Sequence, residues 1–189
     1  MIITYNGDNY FKLQSGDKSI LIDPTDKRSF KGSNLIINTV RPAVTEPEDD
    51  IFWIDHQGEY EVEGIFVKGW QSDWDGEVEK TIYRVDFEEI KFAILGQLTK
   101  NPKPESLEGL DNIDIMIIPG GGEPYIEEGL ASKVARQVEP ALIIPSLFKK
   151  EPDVFLKELG KSNYEMEEKI VLKKKDLRQG TMEIRCLKS

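Results

Sequence analysis

Histidine and cysteine are almost absent from this chain, which carries one of each in 189 residues. A single cysteine, Cys186, excludes an intramolecular disulfide and any cysteine cluster for a metal. It lies between Ile184 and Leu187 in an alternating segment, and reads as a core thiol. No apolar run approaches the roughly 20 residues that cross a bilayer, and no basic-then-apolar leader opens the chain. Positive charge is also in deficit. A formal net charge of −10 argues against a nucleic-acid surface, which needs concentrated Lys and Arg. The one basic run, Lys173-Lys174-Lys175, reads as a solvated face. These absences predict a cytoplasmic protein with neither a nucleic-acid nor a membrane partner.

What is present is ordinary soluble material, 39% hydrophobic and 32% charged, in a length that suits one domain over residues 1–189. Ile2–Tyr5, Tyr10–Leu13 and Ser19–Ile22 are short apolar segments separated by Asn-Gly-Asp and Ser-Gly-Asp turn signals. They predict an antiparallel meander. Glu59–Val67 alternates around Gly64, and Thr81–Phe87 with Lys91–Leu95 forms a second hairpin across Glu88-Glu89. Ile126, Leu130, Val134 and Val138 recur every four residues, so a helix runs there until Pro140 stops it. Ala141–Pro145 then reads as a buried strand, and Pro152–Leu159 as a short helix closed by Gly160. Ile170–Leu172 and Met182–Leu187 read as terminal strands. Strands followed by strand–helix–strand units predict an α+β, mixed α/β sandwich rather than a doubly wound parallel sheet.

Catalytic patterns are scarce. No Gly-x-Ser-x-Gly occurs, and a serine triad would have to use His56. That residue reads as a loop histidine, because a catalytic zinc needs further imidazoles. Pro119-Gly120-Gly121-Gly122 could cradle an anion through Gly121, but it matches neither the phosphate-loop nor the dinucleotide fingerprint. The plainer reading is a structural turn.

Several segments in order resemble the metallo-β-lactamase-fold hydrolases, in their compact lactonase-like branch. The opening succession ends in Leu35-Ile36-Ile37-Asn38-Thr39-Val40-Arg41-Pro42-Ala43-Val44. Gly58-Glu59-Tyr60-Glu61-Val62-Glu63-Gly64 is similar to that branch's Gly-Glu-Tyr-Glu-Val-x-Gly strand pair. Ile94-Leu95-Gly96-Gln97-Leu98 resembles a strand ending in Gly-Asp-Leu, Ile115–Gly122 the next apolar strand and its glycine turn, and Glu139–Phe148 a strand ending in Pro-x-His-Tyr. The resemblance implies a four-layer αββα sandwich and, in the family, zinc that activates a water for hydrolysis.

The same resemblance implies that the metal ligands are gone here. Thr39, Arg41, Ala43 and Val44 stand where the family has His-x-His-x-Asp-His. Gln97 replaces an aspartate and Leu147 a histidine. The histidine after the Gly64–Gly69 strand falls near Trp74, and Asp8 replaces the turn histidine near the N-terminus. Arg41 would repel a divalent cation. The reading therefore expects no catalytic residue, no metal and no cofactor. A hard-cation site from Asp23, Asp75 and Gln97 is conceivable, although Asp23 in Ile-Asp-Pro looks like a structural turn residue.

The vacated groove would be lined by Asp8, Asn38, Thr39, Arg41, Trp74, Asp75, Gln97, Ser146 and Leu147, a mixture suited to a binding pocket. Trp70, Trp74 and Phe66 could serve a partner interface. The competing reading is that Trp74 or Leu147 fills the empty metal cavity. The expected function is a non-catalytic binding or assembly module for a small molecule or protein of unknown identity. The alternative is a phosphodiester- or lactone-type metal-dependent hydrolase with a non-standard site. A homo-oligomer is also expected, through an edge strand near Glu59–Val67.

Overall fold

Alternating apolar residues leave each sheet one face to bury, and the two larger of the three sheets among the described residues stack to bury it. A computed structural model describes residues 1–26, 30–45, 51–74 and 76–189. β1 (Ile2–Tyr5), β2 (Phe11–Ser15) and β3 (Lys18–Ile22) form the expected antiparallel meander. β4 (Leu35–Ile37) joins β3 in parallel, and β6 (Trp53–Ile54) joins β4. β14 (Ile170–Val171) closes the other edge against β1.

The larger sheet is built around two hairpins. β7 (Gly58–Val62) pairs with β8 (Ile65–Trp74), and β9 (Glu79–Phe87) with β10 (Ile90–Ile94). β8 lies beside β9, which leaves β7 at the edge. Beyond β10 the pairing turns parallel, through β11 (Ile115–Pro119), β12 (Leu142–Ser146) and β15 (Glu183–Ile184). The Glu88-Glu89 hairpin turn has both residues at positive φ, the conformation a two-residue connection requires.

Period-two alternation decides which side chains meet. Phe11, Leu13, Ile20, Ile22, Leu35 and Ile37 of the smaller sheet face Val67, Val85, Phe92, Ile94, Ile117 and Ile144 of the larger one. The intervening residues of the larger sheet, among them Ala93, Met116, Ile118 and Ile143, face outward. They are covered by α1 (Pro104–Gly109), α2 (Glu128–Val138) and α3 (Asp153–Glu158) through Val134, Ala135, Phe155 and Leu156. Over the smaller sheet, Tyr10 and Phe30 cap Leu21 and Ile36. The result is the αββα architecture in a reduced form, with loop side chains as the outer cover on that side among the described residues. No helix among them is long and apolar enough to cross a membrane.

Three boundaries differ from the sequence expectation, each for a local reason. The helix begins at Glu128 rather than Ile126, because the Ile126 amide donates to Leu98 O at 2.8 Å and so lies outside it. Met182–Leu187 is two strands: β15 runs beside β12, and then β16 (Cys186–Leu187) pairs with β13 (Met166–Glu167). Arg185 sits between them with its guanidinium on Glu167. Leu35–Val44 also divides, since β5 (Val40–Arg41) leaves the smaller sheet and pairs with β9.

That change of sheet depends on Gly96. The residue has φ +54, and a Cβ there would lie 2.3 Å from the Thr39 Cβ. Gly96→Ala is expected to lower stability by on the order of 3 kcal/mol, from strain and overpacking together. A reduced midpoint in urea denaturation checks this; an unchanged midpoint would show that the crossover does not need the glycine.

Candidate functional site

Strand ends converge where the chain changes sheet. The carboxyl ends of β3 and β4 supply Asp23, Asn38 and Thr39. Those of β10, β11 and β12 supply Gln97, the Gly120–Gly122 turn, and Leu147. Parallel pairing aligns these ends on one side of their sheets, the usual position of a site in such architectures.

Asp23 forms the floor. It is 6% exposed, and its two carboxylate oxygens accept three hydrogen bonds. Thr39 N–H donates to Oδ1 at 2.6 Å, while Thr39 Oγ1 and Asn9 Nδ2 donate to Oδ2 at 2.5 and 2.6 Å. Burial raises the Asp23 pKa above its usual 3.8, and the Thr39 and Asn9 bonds oppose that rise. Asn38 and Ser146 are equally buried, and Asn38 Nδ2, Ser146 Oγ and Asn9 Oδ1 have no partner. The Tyr83 hydroxyl lies 3.2 Å from the carbonyl oxygens of both Asn38 and His56.

Asp8, Gly121 and Leu147 are drawn together above this floor. Leu147 N–H donates to Asp8 O at 2.9 Å, and Tyr5 Oη donates to the same oxygen at 3.0 Å. Leu147 is buried with φ +54, and a Cβ on Gly121 would lie 2.1 Å from its carbonyl oxygen. Between these loops opens a cavity of about 460 Å³, with Tyr5, Tyr125, Phe148, Lys149 and Lys150 also in its walls. Burial, reinforced by Asp8, pushes the Tyr5 phenol up to about 12, and Tyr125 shifts upward for the same reasons. Both remain hydrogen-bond donors at neutral pH.

The other anticipated residues fall elsewhere. Arg41 and Trp74 occupy one rung of the larger sheet, each paired in register with Glu79 from opposite sides. Arg41 Nε lies 3.5 Å from Asp55 Oδ2, and Trp74 is 65% exposed. Val44 is exposed, whereas Ala43 and Gln97 are half-buried. Asp75 lies outside the described residues. His56 sits on the surface with Nδ1 2.7 Å from Asp55 Oδ1. Of the eight described residues expected around one groove, Asn38, Thr39 and Ser146 thus lie in the buried floor, Asp8 and Leu147 line the cavity, Arg41 and Trp74 share a separate rung, and Gln97 follows the end of β10. Sequence reasoning missed Tyr5, Tyr125, Phe148, Lys149 and Lys150. Only the Lys149-Lys150 pair directly after the Pro-Ser-Leu-Phe segment carried a signal.

The family model of the beta-lactamase superfamily domain matches residues 2–146. This chain belongs to the metallo-β-lactamase superfamily. Among solved structures, it is similar to a candidate Zn-dependent hydrolase of that superfamily from Thermotoga maritima, at 25% identity and a TM-score of 0.81, over 98% of this chain and 97% of that one. It also resembles the metallo-β-lactamase fold protein YhfI from Bacillus subtilis, at 10% identity and a TM-score of 0.70, over 100% and 96% of the two chains. A candidate metal-dependent hydrolase from Parabacteroides distasonis aligns at 16% identity and a TM-score of 0.67, over 98% and 91%. No curated protein sequence matches the chain.

The superfamily's zinc does not fit the side chains found here. Zinc takes imidazole, thiolate and carboxylate donors, whereas the positions that the resemblance aligns with the ligands hold Thr39, Arg41, Ala43, Val44, Trp74, Gln97 and Leu147, with Asp8 the one carboxylate among them. The Thr39 hydroxyl already donates inward to Asp23. Among the described residues, no three His, Cys, Asp or Glu side chains gather as a metal site.

Two tests address the floor. Thr39→Val keeps the shape and removes the hydroxyl, so it is expected to cost about 1–3 kcal/mol, the scale of a bond to a charged group. Calorimetric unfolding reads this. Because folding raises the Asp23 pKa, the native state holds that proton more tightly than the unfolded chain does. The Asp23 contribution to stability therefore declines as pH rises over the range from 3.8 up to its raised native value. In Asp23→Asn that component is lost, visible as a flatter stability profile across that range.

Proposed function

We propose that this protein is a non-catalytic member of the metallo-β-lactamase superfamily, a binding module built on a hydrolase scaffold. The observation that carries the reading is the hydrogen-bonded knot of Thr39, Asp23 and Asn9. Where the resemblance implies a metal ligand, Thr39 makes bonds that complete the protein's own interior. With one histidine in the entire chain, and that one exposed beside Asp55, the imidazole set of the family cannot be assembled from other positions.

The neighbouring cavity supports binding over assembly. Its volume lies within the range of small-molecule sites, and its walls combine aromatic rings with a few polar groups. A small molecule is therefore the preferred partner. Self-association through the β7 edge is a secondary feature of the same reading. Residues 1–189 act as one domain in this proposal. A cytoplasmic location accords with the single buried thiol, and the net charge of −10 accords with neither a nucleic-acid nor a membrane partner.

Protein purified without chelators or an affinity tag is expected to contain no stoichiometric zinc, manganese or iron by elemental analysis. It is also expected to leave phosphodiester, lactone and thioester substrates unchanged. Stoichiometric metal together with turnover would overturn the proposal and establish a hydrolase with a non-standard site.

A further inference from the structure

The cavity above the buried floor brings together donors that the fold itself does not use. Among the described residues, neither Lys149 nor Lys150 makes an ion pair, and the half-buried Tyr125 hydroxyl has no hydrogen-bond partner. All three line the same space of about 460 Å³. A positively charged wall is notable in a chain of net charge −10, because long-range electrostatics cannot account for it. The rings of Tyr5 and Phe148 form a second wall, with centroids 5.9 Å apart and planes tilted by 34°. Two acceptors, the exposed carboxylates of Asp8 and Glu123, also line it, as do Ser189 and a third lysine, Lys188, which pairs with Glu168.

These groups specify a ligand with three parts. The lysines and Tyr125 call for an anionic head, the aromatic wall for a flat apolar body, and the carboxylates for hydroxyl or amine donors between them. On their other side the same lysines border a hollow of about 550 Å³ that also contains Glu128, Glu151 and Asp153. With Glu123, which borders both spaces, that hollow gathers four side-chain carboxylates against two in the first cavity, so an anion is favoured in the first.

We propose that this cavity binds a mononucleotide, with the phosphate held by Lys149, Lys150 and the Tyr125 hydroxyl, and the base against Tyr5 and Phe148. In this arrangement Asp8 and Glu123 accept from the ribose hydroxyls or an exocyclic amine. The cavity volume suits a molecule of that size, as pockets for small ligands run from roughly 300 to 1,000 Å³. The proposal rests on the binding-module reading and adds the ligand class.

Titration calorimetry of the full chain in EDTA, with AMP, GMP, CMP and UMP, tests it against adenosine and inorganic phosphate. At least one nucleoside monophosphate is expected to bind roughly tenfold or more tightly than either fragment, since loss of a charge-assisted contact costs about that factor. The double variant Lys149→Ala/Lys150→Ala should reduce this affinity to that of the nucleoside, and Tyr125→Phe should weaken it severalfold. Both lysines are exposed, so the variant should fold, and an unchanged melting curve confirms that it has.

The proposal is overturned if no monophosphate binds at millimolar concentration. It is equally overturned if phosphate alone binds as well as the nucleotides, or if the lysine variant binds like the parent. None of these outcomes bears on catalysis. Release of phosphate from a bound nucleotide would instead overturn the non-catalytic reading and leave the ligand class standing.

Discussion

A carboxylate buried between two apolar sheets must have donors, and the donors of Asp23 fix how the chain crosses between those sheets. Burial without compensation would cost several kcal/mol. Here three hydrogen bonds from Thr39 and Asn9 supply the compensation. The Thr39 amide can reach Asp23 only when the chain turns out of the smaller sheet after Ile37. The Thr39 carbonyl then accepts from Thr81 N–H at 2.9 Å, which attaches the crossing to β9. Gly96 must lack a side chain for Thr39 to occupy this place. One buried carboxyl group thus organises the ends of β3 and β4, the loop after β10, and the turn that carries Asn9.

On the non-catalytic reading proposed above, this arrangement accounts for a scaffold that stands without a metal. The inter-sheet core, from Phe11 and Leu13 to Ile117 and Ile144, does not depend on any group at the strand ends. The strand ends themselves are held by bonds internal to the chain. In a zinc enzyme the same region collects negative charge and imidazoles around the ion, and metal binding contributes to folding. Threonine in place of a ligand turns its hydroxyl inward as a donor, and Leu147 adds apolar surface under the Gly121 turn. On that reading, packing and hydrogen bonding hold these positions where coordination would hold them in a zinc enzyme.

The meander strands were legible in the sequence because they have a period of two bounded by turn residues, as in Asn6-Gly7-Asp8 and Ser15-Gly16-Asp17. β11 and β12 were legible because they are short apolar runs, whereas the two-residue β6 and β13 carry no such pattern. α2 was legible because its stripe persists over three turns. α1 was not, since Leu107 is its one large apolar residue and forms no stripe, whereas the equally short α3 carries Val154, Phe155 and Leu156. The change of sheet at Thr39 left no mark either: nothing within Leu35–Val44 sets where the chain leaves one sheet for the other, and the space Thr39 needs is made by Gly96, distant in sequence. The separation of Arg41 and Trp74 from Asp8 and Leu147 has the same origin. Arg41 follows β5 onto the larger sheet, so positions that a linear motif places side by side end on different surfaces.

Net charge further limits how the cavity can work. A chain of −10 repels anions at a distance, so any anion that binds must gain its free energy from contacts made inside the cavity. Over a screening length of about 8 Å at physiological ionic strength, most of the distant carboxylates are damped, while Lys149, Lys150 and the aromatic wall act at contact distance. Recognition on these terms favours a ligand that uses several walls at once, because a bare ion would meet the lysines without the rings. The Tyr5–Phe148 wall is therefore as necessary to selectivity as the charge, and it exists because Leu147 N–H ties that loop to the Asp8 turn.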